Sequence, residues 1–574
     1  TNRAHATRLE PTMTAELPQG ADAIGRIMGK TADEAYETLS GMYGPDMAME
    51  VLNIGHIWER PALTRRERSF VAIAALVAMG TKDRLRIHVQ GALNQVWSSL
   101  AQQPETLRDA HAGLWQRYAD IWAKHTAYML TGQLQDGEGA RDKRFRDPEW
   151  RSNPAFSLLR ESYLATAAFV TDLVDKAEGV DDATKRKAAF FIKQAVDAAS
   201  PSNFLMTNPA ALRTLLQTHG ESLVKGVENL AEDLRRGRGN LAISQTDLDA
   251  YKLGENVATT PGKVIFRNRV FELIQYAPTT AEVHQAPLLI FPPWINKFYI
   301  LDLQPKNSMI RWLVDHGHTV FLVSWVNPGE DMAETSFEDY MLEGVYAAVD
   351  AVQKAANVDR INTVGYCVGG TLLAATLAHM AKKHDARIQS ATFFASQADF
   401  QFAGDLLVFS DEAGIKYLED KMEAAGGVLD AQTMADTFNS LRANDLIWNY
   451  VVDNYYMGKE PPPFDLLYWN ADQTRMPRDL HLYYLRRFYR DNALSAGKMT
   501  ALGEQLSLKD VTIPIFMQSS KEDHIAPAPS VYNSARAFGG PVEYIIAGSG
   551  HIARAGGQRL GEHRAAGAPS GAEG

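Results

Sequence analysis

Two hydrophobic periodicities divide the chain. From about residue 21 to about 255, apolar positions recur every three or four residues, the spacing of amphipathic helices. Pro104 to Trp122 and Phe156 to Val174 show it most plainly. Thr64-Arg65-Arg66-Glu67 has the form of a capping box ahead of the apolar run Phe70 to Val77. Asp142 to Trp150, and Ser200-Pro201-Ser202-Asn203-Phe204 through Asn208-Pro209, punctuate the helices. Arg235 to Asn240, with two glycines, reads as a linker.

From about 256 short β-branched runs take over. Lys263 to Phe266 and Val270 to Tyr276 are predicted to pair as a hairpin. Further strands are expected at Leu288–Phe291, Thr319–Trp325, Ile361–Tyr366, Ile388–Ala395, Ile513–Gln518 and Val542–Ile546. Helical patterns lie between them at Ser308–Asp315, Phe337–Ala356 and Thr371–Lys383. Such alternation predicts an α/β domain, a parallel sheet with helices on both faces and ligands beyond the strands' carboxyl ends. It stops between Ala395 and Ile513, a stretch rich in aromatics such as Trp448, Tyr468, Trp469, Tyr484 and Tyr489. An insertion there is expected to cap the site, either as a moving lid that excludes water or as a packed helical subdomain. The expected organisation is an arm at 1–20, a helical segment at 21–95, a helical domain at 96–255, and a catalytic domain at 256–552 with its cap at about 396–510. A tail at 553–574 is nearly devoid of apolar residues beyond Ala and reads as disordered.

Composition narrows the picture. Apolar residues make up 45% and charged residues 22% of the 574 positions, ordinary for a globular protein. The net charge of −11 argues against wholesale nucleic-acid binding. The first residues are polar, with no signal-peptide core, and the run Phe70 to Met79 is too short to span a bilayer. A cytoplasmic protein without a transmembrane segment is expected. With one Cys there is no intramolecular disulfide and no Cys-based zinc cage. No His/Asp/Glu grouping has metal-ligand spacing, so neither metal nor cofactor is assigned. Aromatics recurring in the helical half, among them Trp115, Tyr118, Trp122 and Trp150, read as core, with part of that face available to a partner or a hydrophobic product.

The single cysteine stands in a telling place. Ile361 to Tyr366 reads as a strand, Gly365-Tyr366-Cys367-Val368-Gly369-Gly370 as a sharp turn, and Thr371 to Lys383 as a helix. This is the nucleophile elbow of α/β-hydrolases with Cys in place of Ser. The helix start offers unpaired N–H groups and a positive dipole end that favour a thiolate. The bland alternative, a small buried hydrophobe, does not account for the flanking glycines. A thiol nucleophile needs a base and a group that orients the base. In this fold they come in the order nucleophile, acid, His. Asp523 and His551 each lie just past a predicted strand, with Glu522 and His524 as their weaker competitors. The oxyanion hole is expected to use the N–H of Val368 and an amide of the loop Pro292-Pro293-Trp294-Ile295-Asn296, with Ile295 the candidate and the choice among those amides open.

These residues also carry a resemblance. The pieces are Ser200 to Phe204, Pro292 to Leu303, Ser324-Trp325-Val326-Asn327-Pro328, Gly365 to Thr371, Tyr468-Trp469-Asn470 and Gly548-Ser549-Gly550-His551-Ile552. From about 100 to 552 the chain resembles a class I polyhydroxyalkanoate synthase. The resemblance implies an acyltransferase with Cys367, Asp523 and His551 as catalytic triad. Its substrate would be an (R)-3-hydroxyacyl-CoA, with (R)-3-hydroxybutyryl-CoA foremost, and its products a polyester and free CoA. It also implies a homodimer at the cytoplasmic surface of polyester granules, alongside granule-associated proteins. The segment Leu63 to Gly80, His88 and Ala92-Leu93-Asn94 resembles the carboxymuconolactone decarboxylase family, in which Glu67 and His88 would sit near a small pocket. It lacks a Cys-x-x-Cys, and a docking or oligomerisation module without chemistry is its alternative reading. Past Ile552 the sequence departs from the synthase pattern, which continues with a Trp-rich segment, and has the look of a truncated gene or shifted frame. Two readings therefore compete with the synthase: a thioesterase on the same fold, and an inactive granule-associated remnant.

Overall fold

The computed structural model describes residues 83–131, 142–548 and 550–552, together with Thr31 and Asp33. The expected arm, most of the 21–95 segment including Glu67 and the side chain of His88, and the tail at 553–574 lie outside the described residues. The chain divides into two units, Thr1–Gly80 and Thr81–Gly574, and the helices and strands named here belong to the second.

The longer helices of the amino-terminal part of this unit are α1 (Asp83–Ala101), α2 (Pro104–Thr131), α3 (Pro154–Lys176), α4 (Asp182–Ala198), α5 (Pro209–Gln217) and α6 (Glu221–Arg236). Local chemistry starts several of them. Asn153 and Asn208 accept from backbone N–H groups of the turns they open, each with Pro as the first helical residue. Asp181 does the same for α4. Val96, Leu100, Leu173, Ala188 and Ile192 form an apolar core shared by α1, α3 and α4. The Ser200–Phe204 motif is a buried knot between helices. Asn203 donates to the Asp197 carbonyl at 2.7 Å, and Asn208 donates to the Ser202 carbonyl at 2.6 Å. Arg235 and Arg236 belong to the last turn of α6, so the expected linker begins only at Gly237. The aromatic stripe divides as well. Trp150 is buried against Phe145, whereas Trp115 and Trp122 are 70% and 58% exposed on α2.

The catalytic part is built on eight strands: β1 (Gly262–Arg267), β2 (Phe271–Tyr276), β3 (Leu288–Phe291), β4 (Val320–Trp325), β5 (Ile361–Tyr366), β6 (Ile388–Phe394), β7 (Ile515–Ser520) and β8 (Val542–Ala547). Their order in the sheet is β1-β2-β4-β3-β5-β6-β7-β8. The sheet is mixed rather than parallel throughout. β1 and β2 form an antiparallel hairpin, and β2 joins β4 antiparallel. A short connection can only reverse direction, so the hairpin brings an antiparallel edge to the parallel strands from β3 to β8. Most residues of β4 and β5 are buried, as expected of strands covered on both faces. The chain runs from β3 outward to β4, then crosses to β5 on the other side of β3. This reversal opens a crevice beyond the carboxyl ends of β3 and β5, the usual ligand position in such sheets. Helix α7 (Val368–Lys382) continues directly from β5 and is buried along nearly its whole length.

The segment between β6 and β7 is mainly helical. Its inner face is not a separate core. Ile415, Met422, Met434, Leu480 and Phe488 belong to the same apolar cluster as Leu372, Phe393 and Met517 of the sheet and its helices. At three places in it the helix widens into π-turns: Asn444–Trp448, Val451–Tyr456 and Leu485–Arg490.

Candidate active site

The turn from β5 into α7 places Cys367 at φ +52°, a left-handed conformation that β-carbon crowding makes rare in residues other than glycine. Glycines permit the surrounding fit. A Cβ on Gly365 would stand 2.3 Å from Gly370 Cα, and one on Gly369 would stand 2.3 Å from the Phe291 carbonyl oxygen and 2.5 Å from that of Pro292. The helix start therefore presses directly on the loop after β3. The Cys367 N–H is tied to the Phe394 carbonyl at 2.9 Å, and the residue is only partly buried.

The acid and the base arrive from neighbouring strands. Asp523 lies just after β7 and His551 just after β8, and β7 and β8 pair in parallel from Ile515↔Val542 to Ser520↔Ala547. His551 Nδ1 meets Asp523 Oδ2 at 2.7 Å, and the two side chains are 7% and 0% exposed. The other carboxylate oxygen of Asp523 accepts from the N–H groups of Ile525 and Ala526, both at 2.9 Å. The carboxylate is thus fixed at both ends. Burial alone would lower the His551 pKa. The electrostatic influence of Cys367 and the hydrogen bond to the Asp523 carboxylate outweigh it and raise the pKa to about 10. The structure thereby bonds His551 to Asp523 and holds the ring within electrostatic reach of Cys367.

The competitors are elsewhere. Glu522 points to solvent. No bond joins His524 to the acid; burial and the positive charge of Arg442 lower its pKa. Val368 is the first residue of α7, so its N–H has no partner within the helix and is free to donate. Ile295 lies in the turn after β3, four residues beyond Phe291, in the loop that packs on the helix start. Among the described residues no three His, Cys, Asp or Glu side chains are grouped to hold a metal ion.

Three tyrosines near the sulfur were not singled out from the sequence for their roles. The Tyr366 ring stacks on His551 with centroids 6.0 Å apart and planes 27° apart. Tyr484 and Tyr489 come from the insertion; both are buried, with their rings 5.4 Å apart, and lie within electrostatic reach of Cys367. For Tyr366 the signal was its place in the elbow itself. For the other two, only the aromatic density of the insertion pointed towards them. Chemically, the assembly presents a thiol with an imidazole oriented by a fixed carboxylate, beside free helix-start N–H groups. That set suits acyl transfer through a thioester.

Comparison with known proteins bears on the same residues. A family model described as poly-beta-hydroxybutyrate polymerase N-terminus matches residues 141–313. An alpha/beta hydrolase fold model matches residues 286–554, and a carboxymuconolactone decarboxylase family model matches residues 48–96. The chain is 49% identical to a poly(3-hydroxyalkanoate) polymerase of Methylorubrum extorquens over 464 residues, 80% of this chain and 76% of that protein. It is 48% identical to the poly(3-hydroxyalkanoate) polymerase subunit of Rhizobium meliloti, over 80% of this chain and 75% of that protein. With the corresponding subunit of Cupriavidus necator the identity is 42%, over 76% of this chain and 74% of that protein.

Proposed function

The chain belongs to the poly(3-hydroxyalkanoate) polymerase family, and on that footing we propose that it polymerises (R)-3-hydroxybutyryl-CoA through a thioester on Cys367. It is an acyltransferase with an α/β-hydrolase catalytic domain. The observation that supports the mechanism is the Asp523–His551 bond, set within electrostatic reach of the elbow cysteine Cys367.

His551 takes the thiol proton of Cys367 and becomes an imidazolium held by Asp523. The thiolate adds to the carbonyl carbon of the hydroxyacyl-CoA. The oxyanion is met by the Val368 N–H and a second amide, that of Ile295, from the loop after β3. Collapse breaks the bond to CoA, whose thiolate takes the proton from His551. One thioester replaces another, so the exchange is nearly balanced. In the second half-reaction the 3-hydroxyl of an incoming unit attacks the Cys367 thioester. A C–O bond forms, the C–S bond breaks, and the hydroxyl proton passes to His551. The buried, aromatic surroundings of the sulfur favour this attack over hydrolysis by water.

With one cysteine in this sequence, the growing chain cannot move between two thiols of one subunit. Either two subunits of a homodimer each supply Cys367, or the chain passes through a species bound as its CoA ester. In this reading the enzyme works at the surface of its own polyester granule in the cytoplasm. Trp115, Trp122 and Met129, spaced seven residues apart along α2 and all largely exposed, suit contact with an apolar polymer or with a granule-associated protein. Among the described residues no helix is long and apolar enough to cross a membrane. The test is turnover with the purified protein, measuring CoA release and insoluble polymer together. Both should vanish in Cys367→Ala. Soluble 3-hydroxybutyrate as the sole product would identify a thioesterase instead.

A further inference from the structure

The nucleophile and the acid stand at the ends of strands that do not touch. β5 leads into the elbow and β7 into the turn of Asp523, and β6 runs between them. Two strand spacings are about 10 Å. The chain that leaves β6, the neck of the insertion, therefore lies between the elbow and the acid turn. It packs hard on the elbow side. A Cβ on Gly370 would stand 2.3 Å from Ser396 Oγ, and the Cys367 N–H already donates to Phe394 at the end of β6.

One residue of the neck, Gln397, bonds to both sides. It is buried, and its carbonyl oxygen accepts from the Thr371 hydroxyl at 2.7 Å. Thr371 lies one turn into the nucleophile helix, its N–H 3.3 Å from the Cys367 carbonyl oxygen. The Gln397 side chain reaches the other way: its Nε2 donates to the Ile525 carbonyl at 3.3 Å. Ile525 is one of the two residues whose N–H groups hold Asp523 Oδ1. Hydrogen bonds thus run from Cys367 through Thr371, Gln397 and Ile525 to Asp523, on a path that avoids His551. The neck is also fixed from behind. Ala398 and Asp399 donate their N–H groups to Ser534 Oγ at 2.8 and 2.9 Å. Asp399 Oδ2 accepts from Asn492 Nδ2 at 3.1 Å and Ser495 Oγ at 2.5 Å, where the insertion returns. A second feature marks Gln397. Its Oε1 is buried and finds no partner among the described residues. An unpaired buried acceptor is destabilising, and an apolar side chain of similar size would fill the space without it. What the amide contributes is its donor.

Resting on the synthase reading, we propose that Gln397 is a positioning residue that braces the Asp523 turn against the nucleophile helix and so sets where the His551–Asp523 pair stands relative to Cys367. It acts through Asp523 and exchanges no proton. Without the Nε2 bond the Ile525 carbonyl loses this donor, and the turn that holds Asp523 is free to drift. The ring bonded to Asp523 drifts with it, and Cys367 gives up its proton less readily.

The chain has one cysteine, so the rate of iodoacetamide labelling across pH, read on the peptide containing Cys367, follows the ionisation of that thiol. Gln397→Met keeps the length of the side chain and removes the donor. Thr371→Val keeps the shape of its residue and removes the other bond of the brace. Neither changes a charge or a titratable group. His551, Asp523 and the phenols of Tyr366, Tyr484 and Tyr489 all remain around Cys367, so a shift reports their placement. In Gln397→Met the pH midpoint of labelling should rise by about 0.5–1 unit. The kcat for CoA release should fall about 5- to 30-fold with KM within about twofold, the range for one lost buried hydrogen bond. A midpoint that does not move would overturn the proposal in favour of a packing role, even if kcat or the urea midpoint falls, and so would an unchanged kcat. Should Gln397→Met fail to fold, Thr371→Val decides by the same criteria. Labelling needs no substrate, so failure of the synthase reading would be seen separately, as wild-type protein that forms no polymer.

Discussion

Replacing Asp523 by Asn probes the triad through a detail of its hydrogen bonding. One carboxylate oxygen accepts from two backbone N–H groups, those of Ile525 and Ala526. In the variant only the amide oxygen can accept there, so the amide NH2 must take the position that now faces His551 Nδ1. A donor then points at the atom that has to donate. The ring is driven to the tautomer with its proton on Nε2, the nitrogen that should take the proton of Cys367. The lost contact is a 2.7 Å charge-assisted bond between side chains 7% and 0% exposed. Such a bond is worth roughly 1.5–3 kcal/mol, about 10- to 150-fold in rate, before the tautomer penalty is added. The expected loss in kcat is about 10²- to 10³-fold in a continuous assay of CoA release. Asp523→Ala leaves the ring free to adopt either tautomer and should retain more activity than Asp523→Asn. Activity of Asp523→Asn within about threefold of wild type would refute the reasoning, and so would an Ala variant clearly worse than the Asn variant at equal folded content.

Gly369→Ala should lower the urea midpoint and abolish turnover, because the added carbon would meet the backbone oxygens of Phe291 and Pro292, which cannot swing away; overpacking of this kind costs about 1–3 kcal/mol or more. The raised pKa of His551 makes a pH prediction with a definite sign. A group raised on folding stabilises fully below its unfolded pKa, about 6.5. That contribution is lost as pH climbs through the folded value of about 10, so urea midpoints should fall over this window. The fall should be largely absent in His551→Ala, and equal slopes in the two proteins would contradict it. Trp115→Ser with Trp122→Ser, both exposed, should leave the unfolding free energy within about 0.5 kcal/mol of wild type yet reduce cosedimentation with polyester granules.

Much of the site could be read from local rules. A strand, a glycine-flanked Cys and a helix form a short-range pattern, and Asp523 and His551 stand just beyond strands whose β-branched residues announce them. The parallel register of β7 and β8 then brings residues 28 apart in sequence into contact. The hairpin of β1 and β2 was equally plain, but its consequence, an antiparallel edge to the sheet, depends on where the hairpin docks. The pairing of Tyr484 with Tyr489 was hidden for a geometric reason. Periodicity arguments assume 3.6 residues per turn, and a π-turn changes which positions share a face. The exposure of Trp115 and Trp122 was hidden for another. Helical spacing of aromatics shows that they share a face, not whether a second element covers it.

Intact-protein mass spectrometry of enzyme quenched soon after mixing with (R)-3-hydroxybutyryl-CoA tests the central claim most directly. The account predicts a thioester-labile adduct of hydroxybutyryl units on the peptide containing Cys367, strongly reduced in His551→Ala and absent in Cys367→Ala. An adduct on any other residue, or polymer made by Cys367→Ala, would contradict it.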